Sequence, residues 1–197
     1  MQNHEKFYLS LSPEEKGIFN LYKSNDPLES GFPCADYLNT MLGKKISLPK
    51  EMNSIVNDLD KIIQKHSLES EMWLYRATDD KYIAPYIKDG FLTYPPYVST
   101  ATGIDRLQIH FRNADKTPTL LRIKCPKGAF VAPMEGNSEY GDPEHEYLLG
   151  RNGVFKLINR KEITETPKIV EIMGSFYARE FSKLIDYTFE FLHYKEN

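Results

Sequence analysis

At 197 residues, with 41% apolar side chains and a net charge of −3, the chain is long enough for one domain with a proper core. No apolar run approaches the ~18 residues of a membrane-spanning helix. Charge is even along the chain: residues 71 to 173 hold 14 acidic and 14 basic side chains, without the basic stripe of a nucleic-acid binder.

The polar start, Met1 to Lys6, has no signal-peptide core, so cytoplasmic synthesis is expected. Delivery into another cell by a secretion machine or a phage leaves no mark of that kind. Cys34 and Cys125 cannot make a disulfide framework. His4, His66, His110, His145 and His193 are scattered, with no metal-ligand spacing, so no metal is expected.

Residues 10 to 70 read as helical. Ser12-Pro13-Glu14-Glu15 is a capping box with proline at the first helical position. A second helix is expected over 35–42, closed by Gly43, and a third opens at Pro49, with Met52, Ile55, Val56, Leu59, Ile62 and Ile63 on one face. Tyr22 and Tyr37 fall at core positions or line a cleft.

The texture then changes. Met72 to Thr78 is a short aromatic strand carrying Arg76, a residue either at a solvated strand end or placed to fork onto an anion. Residues 81–88 read as a helix stopped by Gly90. Tyr97 to Thr102 is a strand ending in hydroxyls, followed by a helix over 103–111 and the pair Phe111-Arg112. A strand over 119–126, a Lys127-Gly128 turn and a strand over 129–133 lead into a polar loop, 134–143, that contains Tyr140. Glu144-His145-Glu146 runs into the apolar strand 147–149. If that backbone is extended, both carboxylates project from one face with Cα atoms roughly 7 Å apart. Alternating glutamates on a solvated strand give the same pattern. Asn152-Gly153 predicts a hairpin to a strand over 154–159. A last strand is expected over 169–173, and 176–194 reads as a helix or an added strand.

Arginine, Ser-Thr and Glu-x-Glu thus follow one another on a β-rich region behind a helical lobe. In that order, Leu74-Tyr75-Arg76-Ala77, Tyr97-Val98-Ser99-Thr100-Ala101, the Leu120–Gly128 block and Glu144 to Leu149 resemble the Arg–Ser–Glu class of ADP-ribosyltransferases. That class includes cholera-type and binary toxins, vertebrate ecto-transferases and phage-encoded enzymes. The toxin/phage exoenzyme branch is the nearest, and the resemblance covers roughly residues 10 to 173. Ala101 departs from the pattern, which usually has a hydroxyl there.

The resemblance implies an α+β fold in a single domain over 1–197. An N-terminal helical lobe (10–70) precedes a split two-sheet β core (71–173), followed by a C-terminal extension (174–197). It implies mono-ADP-ribosyl transfer from NAD, without a metal, to a macromolecular acceptor, a protein arginine ahead of a nucleic-acid base. A NAD glycohydrolase and a non-catalytic binding module are the other readings. No membrane contact is implied. An inhibitor or antitoxin is a further partner if the chain is the toxin of such a pair.

By the same resemblance, Glu146 stabilises the cation developing on the nicotinamide ribose, and Ser99 orients it. Glu144 holds and deprotonates the acceptor, with Tyr140 beside it. Arg76 contacts the NAD phosphates, and the Ala77 backbone meets the nicotinamide. Thr100, Phe111 and Arg112 complete the NAD-binding set, with a core or surface position as the equal alternative for Phe111 and Arg112.

Overall fold

Four helices open the chain: α1 (Asn3–Ser10), α2 (Pro13–Lys23), α3 (Cys34–Gly43) and α4 (Lys50–Gln64). The computed structural model describes residues 3–136 and 145–195. The capping box forms as expected: the Ser12 hydroxyl accepts the Glu15 N–H at 3.3 Å, and Glu15 accepts the Ser12 N–H at 2.9 Å. Two orphan amides at the helix start are thereby satisfied. Pro33 and Pro49 stand immediately before α3 and α4, where their fixed φ costs nothing. Among the described residues, no helix is long and apolar enough to cross a membrane.

Nine strands follow among the described residues: β1 (Met72–Asp79), β2 (Ile87–Lys88), β3 (Phe91–Tyr94), β4 (Val98–Ala101), β5 (Pro118–Cys125), β6 (Val131–Pro133), β7 (Glu146–Leu149), β8 (Gly153–Ile163) and β9 (Leu184–Tyr194). They form one mixed sheet in the order β2-β3-β8-β9-β5-β1-β4-β7-β6. Two separate sheets were expected, yet hydrogen bonding joins the strands. The expected division survives as a seam: β1 and β4 share a single register pair, Tyr75 with Ala101, whereas β1 pairs with β5 along its whole length.

Three element expectations fail here, each for a physical reason. Residues 81–88 do not form an α-helix. Pro85 interrupts them, and two 3-10 turns lead into β2 instead. The Asn152-Gly153 turn does not close a hairpin. β7 is already paired on both edges by β4 and β6, so the turn, with Asn152 at φ +58°, hands the chain across the sheet to β8. Residues 169–173 are helical, within α5 (Thr166–Tyr177). Pro167 starts that helix, and Ile169, Ile172 and Met173 face the core at i, i+3, i+4 spacing, which outweighs the β-branching of Ile169, Val170 and Ile172. Of the two readings of 176–194 the added strand holds, over β9, which lies inside the sheet, parallel to β5 and antiparallel to β8, rather than as an extension beside it. Tyr187, Phe189 and Phe191 alternate inward along it.

Three buried clusters divide the interior. The lobe cluster includes Phe19, Tyr22, Leu38, Leu59 and Ile62, and it takes in Tyr97, Ala132, Met134 and Leu148 from the β4-β7-β6 side of the seam. Polar ties fix the same junction. The Tyr97 hydroxyl donates to Asp60 at 2.8 Å, Arg151 pairs with Asp60 at 2.9 Å, and Asn39 accepts the Tyr97 N–H at 3.0 Å. The second cluster fills the long-strand half, around Leu74, Ile123, Phe155 and Phe189. The third packs α5 and a 3-10 helix (Ile104–Asn113) over Ala101 and Leu120.

Candidate active site

Glu146 is the first residue of β7 and is 6% exposed. A carboxylate so deeply buried needs partners, and it has one for each oxygen. The Ser99 hydroxyl donates to Oε1, and the Lys23 ammonium contacts Oε2 in a direct ion pair. Register explains the first contact. Glu146 stands opposite Ala101, and Ser99 lies two residues back along β4 on the same face, a diagonal that a long side chain spans. The second contact comes from the lobe, where Lys23 ends α2 and reaches back over the strand.

Arg76 approaches from the other side of the seam. Its Nη1 donates to the Ser99 carbonyl at 3.0 Å, while its buried Nε has no hydrogen-bond partner among the described residues. Lys23, Glu146, Ser99 and Arg76 therefore form a continuous polar line across the place where β1 and β4 diverge. Such a line sets a carboxylate acceptor beside guanidinium donors, which suits a ligand with a polyhydroxylated ring and an anionic tail.

The remaining expected residues are placed as follows. Ala77 lies on β1 opposite Leu120, half-buried and two residues past the single β1–β4 pair. Thr100 faces the opposite side of the sheet from Ser99. It is 3% exposed, and its hydroxyl is engaged by the Tyr147 carbonyl at 2.6 Å, so it acts in the framework. Phe111 is buried in the α5 cluster at 1% exposure, on the core side of its two readings. Arg112, next to it, is exposed. Tyr140 and Glu144 lie outside the described residues. The extended backbone assumed across Glu144-His145-Glu146 does not hold, because His145 has φ +50° and β7 begins only at Glu146. Tyr22 sits in the lobe core, where burial raises its hydroxyl pKa and the Asn39 side chain donates to it at 3.3 Å.

Two neighbours of Glu146 escaped the sequence reading. Lys23 carries no local signal, since its partner lies 123 residues away. Glu135 accepts the Glu146 N–H at 3.1 Å, and the Glu146 carbonyl accepts the Met134 N–H at 2.9 Å, which together fix the start of β7. Glu135 also stands near His4 and His145, so histidines scattered in sequence converge in the fold. Burial, with His145, His66 and Lys23 nearby, lowers the His4 pKa to about 4.

The helical lobe and the seamed sheet define an α+β fold with a serine-held, buried glutamate at its seam. A family model described as ADP-ribosyltransferase exoenzyme matches residues 1–174, and the chain belongs to that family. It is an NAD-dependent ADP-ribosyltransferase by that membership. No curated protein matches the sequence. Among solved structures, the fold is similar to Plx2a, an ADP-ribosyltransferase toxin from Paenibacillus larvae, at TM-score 0.64 and 20% identity, covering 96% of this chain and 90% of that one. It is also similar to C3stau2 from S. aureus, solved with NAD, at TM-score 0.63 and 15% identity, covering 97% and 92%. The C2-I component of the Clostridium botulinum C2 toxin gives TM-score 0.67 at 17% identity, covering 96% of this chain but 46% of that one. Coverage this high carries the shared fold past residue 174 and into the last segment.

Proposed function

We propose that the chain moves ADP-ribose from NAD to a protein arginine, with Glu146 as the central catalytic group. The observation that carries this reading is the buried Glu146 carboxylate, held by Ser99 and set one residue pair from the seam where Arg76 emerges.

NAD lies across the seam. Its phosphates take the Arg76 guanidinium, whose Nε has no partner among the described residues, and its nicotinamide end meets the β1 backbone near Ala77. The C–N bond between ribose and nicotinamide breaks heterolytically. Its electron pair leaves with neutral nicotinamide, and an oxocarbenium-like centre develops on the ribose. Glu146 accepts a hydrogen bond from a ribose hydroxyl and stabilises the growing positive charge electrostatically. Ser99 keeps that carboxylate aimed. Lys23 supplies its counter-charge in the free enzyme and gives up part of that contact when the ribose hydroxyl arrives. The acceptor nitrogen then bonds to the anomeric carbon and loses its proton to Glu144. A carboxylate rather than an amide at residue 144 favours a guanidinium acceptor by charge and by bidentate fit, and Tyr140, four residues earlier in the sequence, joins it in acceptor recognition on this reading.

Purified protein incubated with adenylate-labelled NAD and cell lysate is expected to label protein, with label released by neutral hydroxylamine, as arginine linkages are. Label on added RNA or DNA, or nicotinamide release without any labelled acceptor, contradicts the arginine reading. Glu144→Gln is expected to abolish protein labelling while retaining slow nicotinamide release.

A further inference from the structure

Three ligand-bearing side chains from three separate segments meet at the entry to β7. His4 comes from the first turn of α1, Glu135 from the loop after β6, and His145 immediately precedes the strand. One ligand atom from each, two imidazole nitrogens and a carboxylate oxygen, lies within 4.8 Å of the other two. His4 is 7% exposed, and its Nδ1 has no hydrogen-bond partner among the described residues. The nearest carboxylate oxygen, Glu135 Oε2, is 3.7 Å away, beyond hydrogen-bond reach. Ring packing accounts for part of the cluster: the His4 ring meets Tyr147 at 4.8 Å and His145 at 6.1 Å, edge to face. Packing does not account for a buried, unpartnered nitrogen facing a carboxylate.

The backbone is shaped for this convergence. Gly136 adopts φ +113°, and a Cβ there would lie 2.9 Å from the His4 carbonyl oxygen and 3.1 Å from Glu5 Cα. Only glycine lets the Glu135 loop lie this close against α1. His145 takes the uncommon φ of +50° on the other side.

We infer that His4, Glu135 and His145 bind a divalent transition-metal ion of the zinc class, which fastens α1 to the strand that begins with Glu146. Two imidazoles and one carboxylate suit such an ion. Magnesium and calcium prefer all-oxygen shells. Ligand bonds of about 2.0–2.1 Å in a tetrahedral shell draw the ligand atoms to about 3.3 Å of one another, so binding tightens the cluster by about 1.5 Å at most, with water as a fourth ligand. Glu135 couples the ion to the catalytic strand, since its Oε1 accepts the Glu146 N–H while Oε2 faces His4. This inference concerns metal binding alone and stands apart from the choice of acceptor.

The test uses the full chain, stripped with a chelator and titrated with ZnCl2 by calorimetry, with CoCl2 as an absorbance probe and MgCl2 as a control. One equivalent of zinc is expected, with intense visible cobalt bands of tetrahedral type. Zinc in hundredfold excess over its Kd should raise the melting temperature by about 5–10 °C, and magnesium should not. His145→Ala, at a half-buried position, is expected to weaken zinc binding at least about 100-fold, at or beyond the loss from an outer-shell partner. Glu135→Gln, which keeps an acceptor for the Glu146 N–H, serves as the second variant. Absence of stoichiometric binding, or binding undiminished in both variants while circular dichroism shows them folded, overturns the inference.

Discussion

The two sides of the seam are built differently. On one side, β8 and β9 run 11 residues each and β5 and β1 run 8, paired over their full lengths around an apolar core. On the other, β4 and β7 are 4 residues each and β6 is 3; each half carries two buried polar side chains, Thr100 and Glu146 here, Asp79 and Thr119 in the long strands. The long half is a frame whose stability comes from buried area. The short half depends on the helical lobe for its packing and on specific polar contacts for its geometry. A candidate site at the joint takes Arg76 from the long half and Ser99 and Glu146 from the short one. A substitution that lowers stability in the frame should therefore spare chemistry, and one at the short half should couple the two.

The sharpest break comes from the frame. Phe189→Ala, in the centre of β9, is expected to cost about 3–5 kcal/mol in urea unfolding, with activity per folded molecule retained at low temperature; loss of activity in the folded fraction would dissolve the distinction. At the joint, Lys23→Met leaves the buried Glu146 carboxylate without its cation. A loss of about 3 kcal/mol is expected, the lower end for breaking a buried pair. Adding Glu146→Gln to that variant should recover most of it. A double variant no more stable than Lys23→Met alone would show that the ion pair does not link lobe and strand.

Asp79 ends β1 and ties the frame to the loop before β5. Burial raises its pKa, but N–H donors from Thr117, Lys116, Lys81 and Asp115 outweigh this and hold it below the usual 3.8. The folded-state pKa is depressed, so its contribution to stability is full above about pH 4 and fades as pH falls through the lower folded value. Asp79→Asn is expected to cost about 2 kcal/mol at neutral pH and to flatten the acid limb of the stability profile; an unchanged acid limb would assign that limb to other groups. The smallest effect is reserved for Tyr97→Phe. Loss of its bond to Asp60 should cost about 1 kcal/mol by thermal melting, with a modest rise in KM because Tyr97 adjoins β4. No change in either quantity would show that the Tyr97 hydroxyl adds nothing to the tie between lobe and sheet.

How legible the molecule is in its sequence follows the same division. The first lobe helices announce themselves through a capping box, prolines and 3.6-residue periodicity. Arg76, Ser99 and Glu146 stand in short strands whose order was readable, and the fold brings those three together. Long-range pairing was not readable. Lys23 meets Glu146 across 123 residues, and nothing local marks either Lys23 or Glu135. The β-branched run at 169–173 looked like a strand because local propensity favoured one, while tertiary packing of Ile169, Ile172 and Met173 imposed a helix. β9 alternates apolar and polar residues, yet its place inside the sheet depends on pairing with β5 and β8. The left-handed turn at His145 breaks the alternation that Glu-x-Glu suggested. The scatter of histidines along the chain hid the meeting of His4 and His145 with Glu135.

The account rests on Glu146 acting in the transition state rather than in binding, and one comparison tests this most directly. NAD affinity and the rate of nicotinamide release would be measured on the same preparations of the wild-type chain and Glu146→Gln. Affinity is expected to stay within about threefold, because the ground-state contacts lie with Arg76 and the backbone. Release is expected to fall on the order of 10²–10³-fold, the usual loss when one preorganised electrostatic contact is removed. Equal release by the two proteins, or a loss explained wholly by weaker NAD binding, would contradict a catalytic role for Glu146.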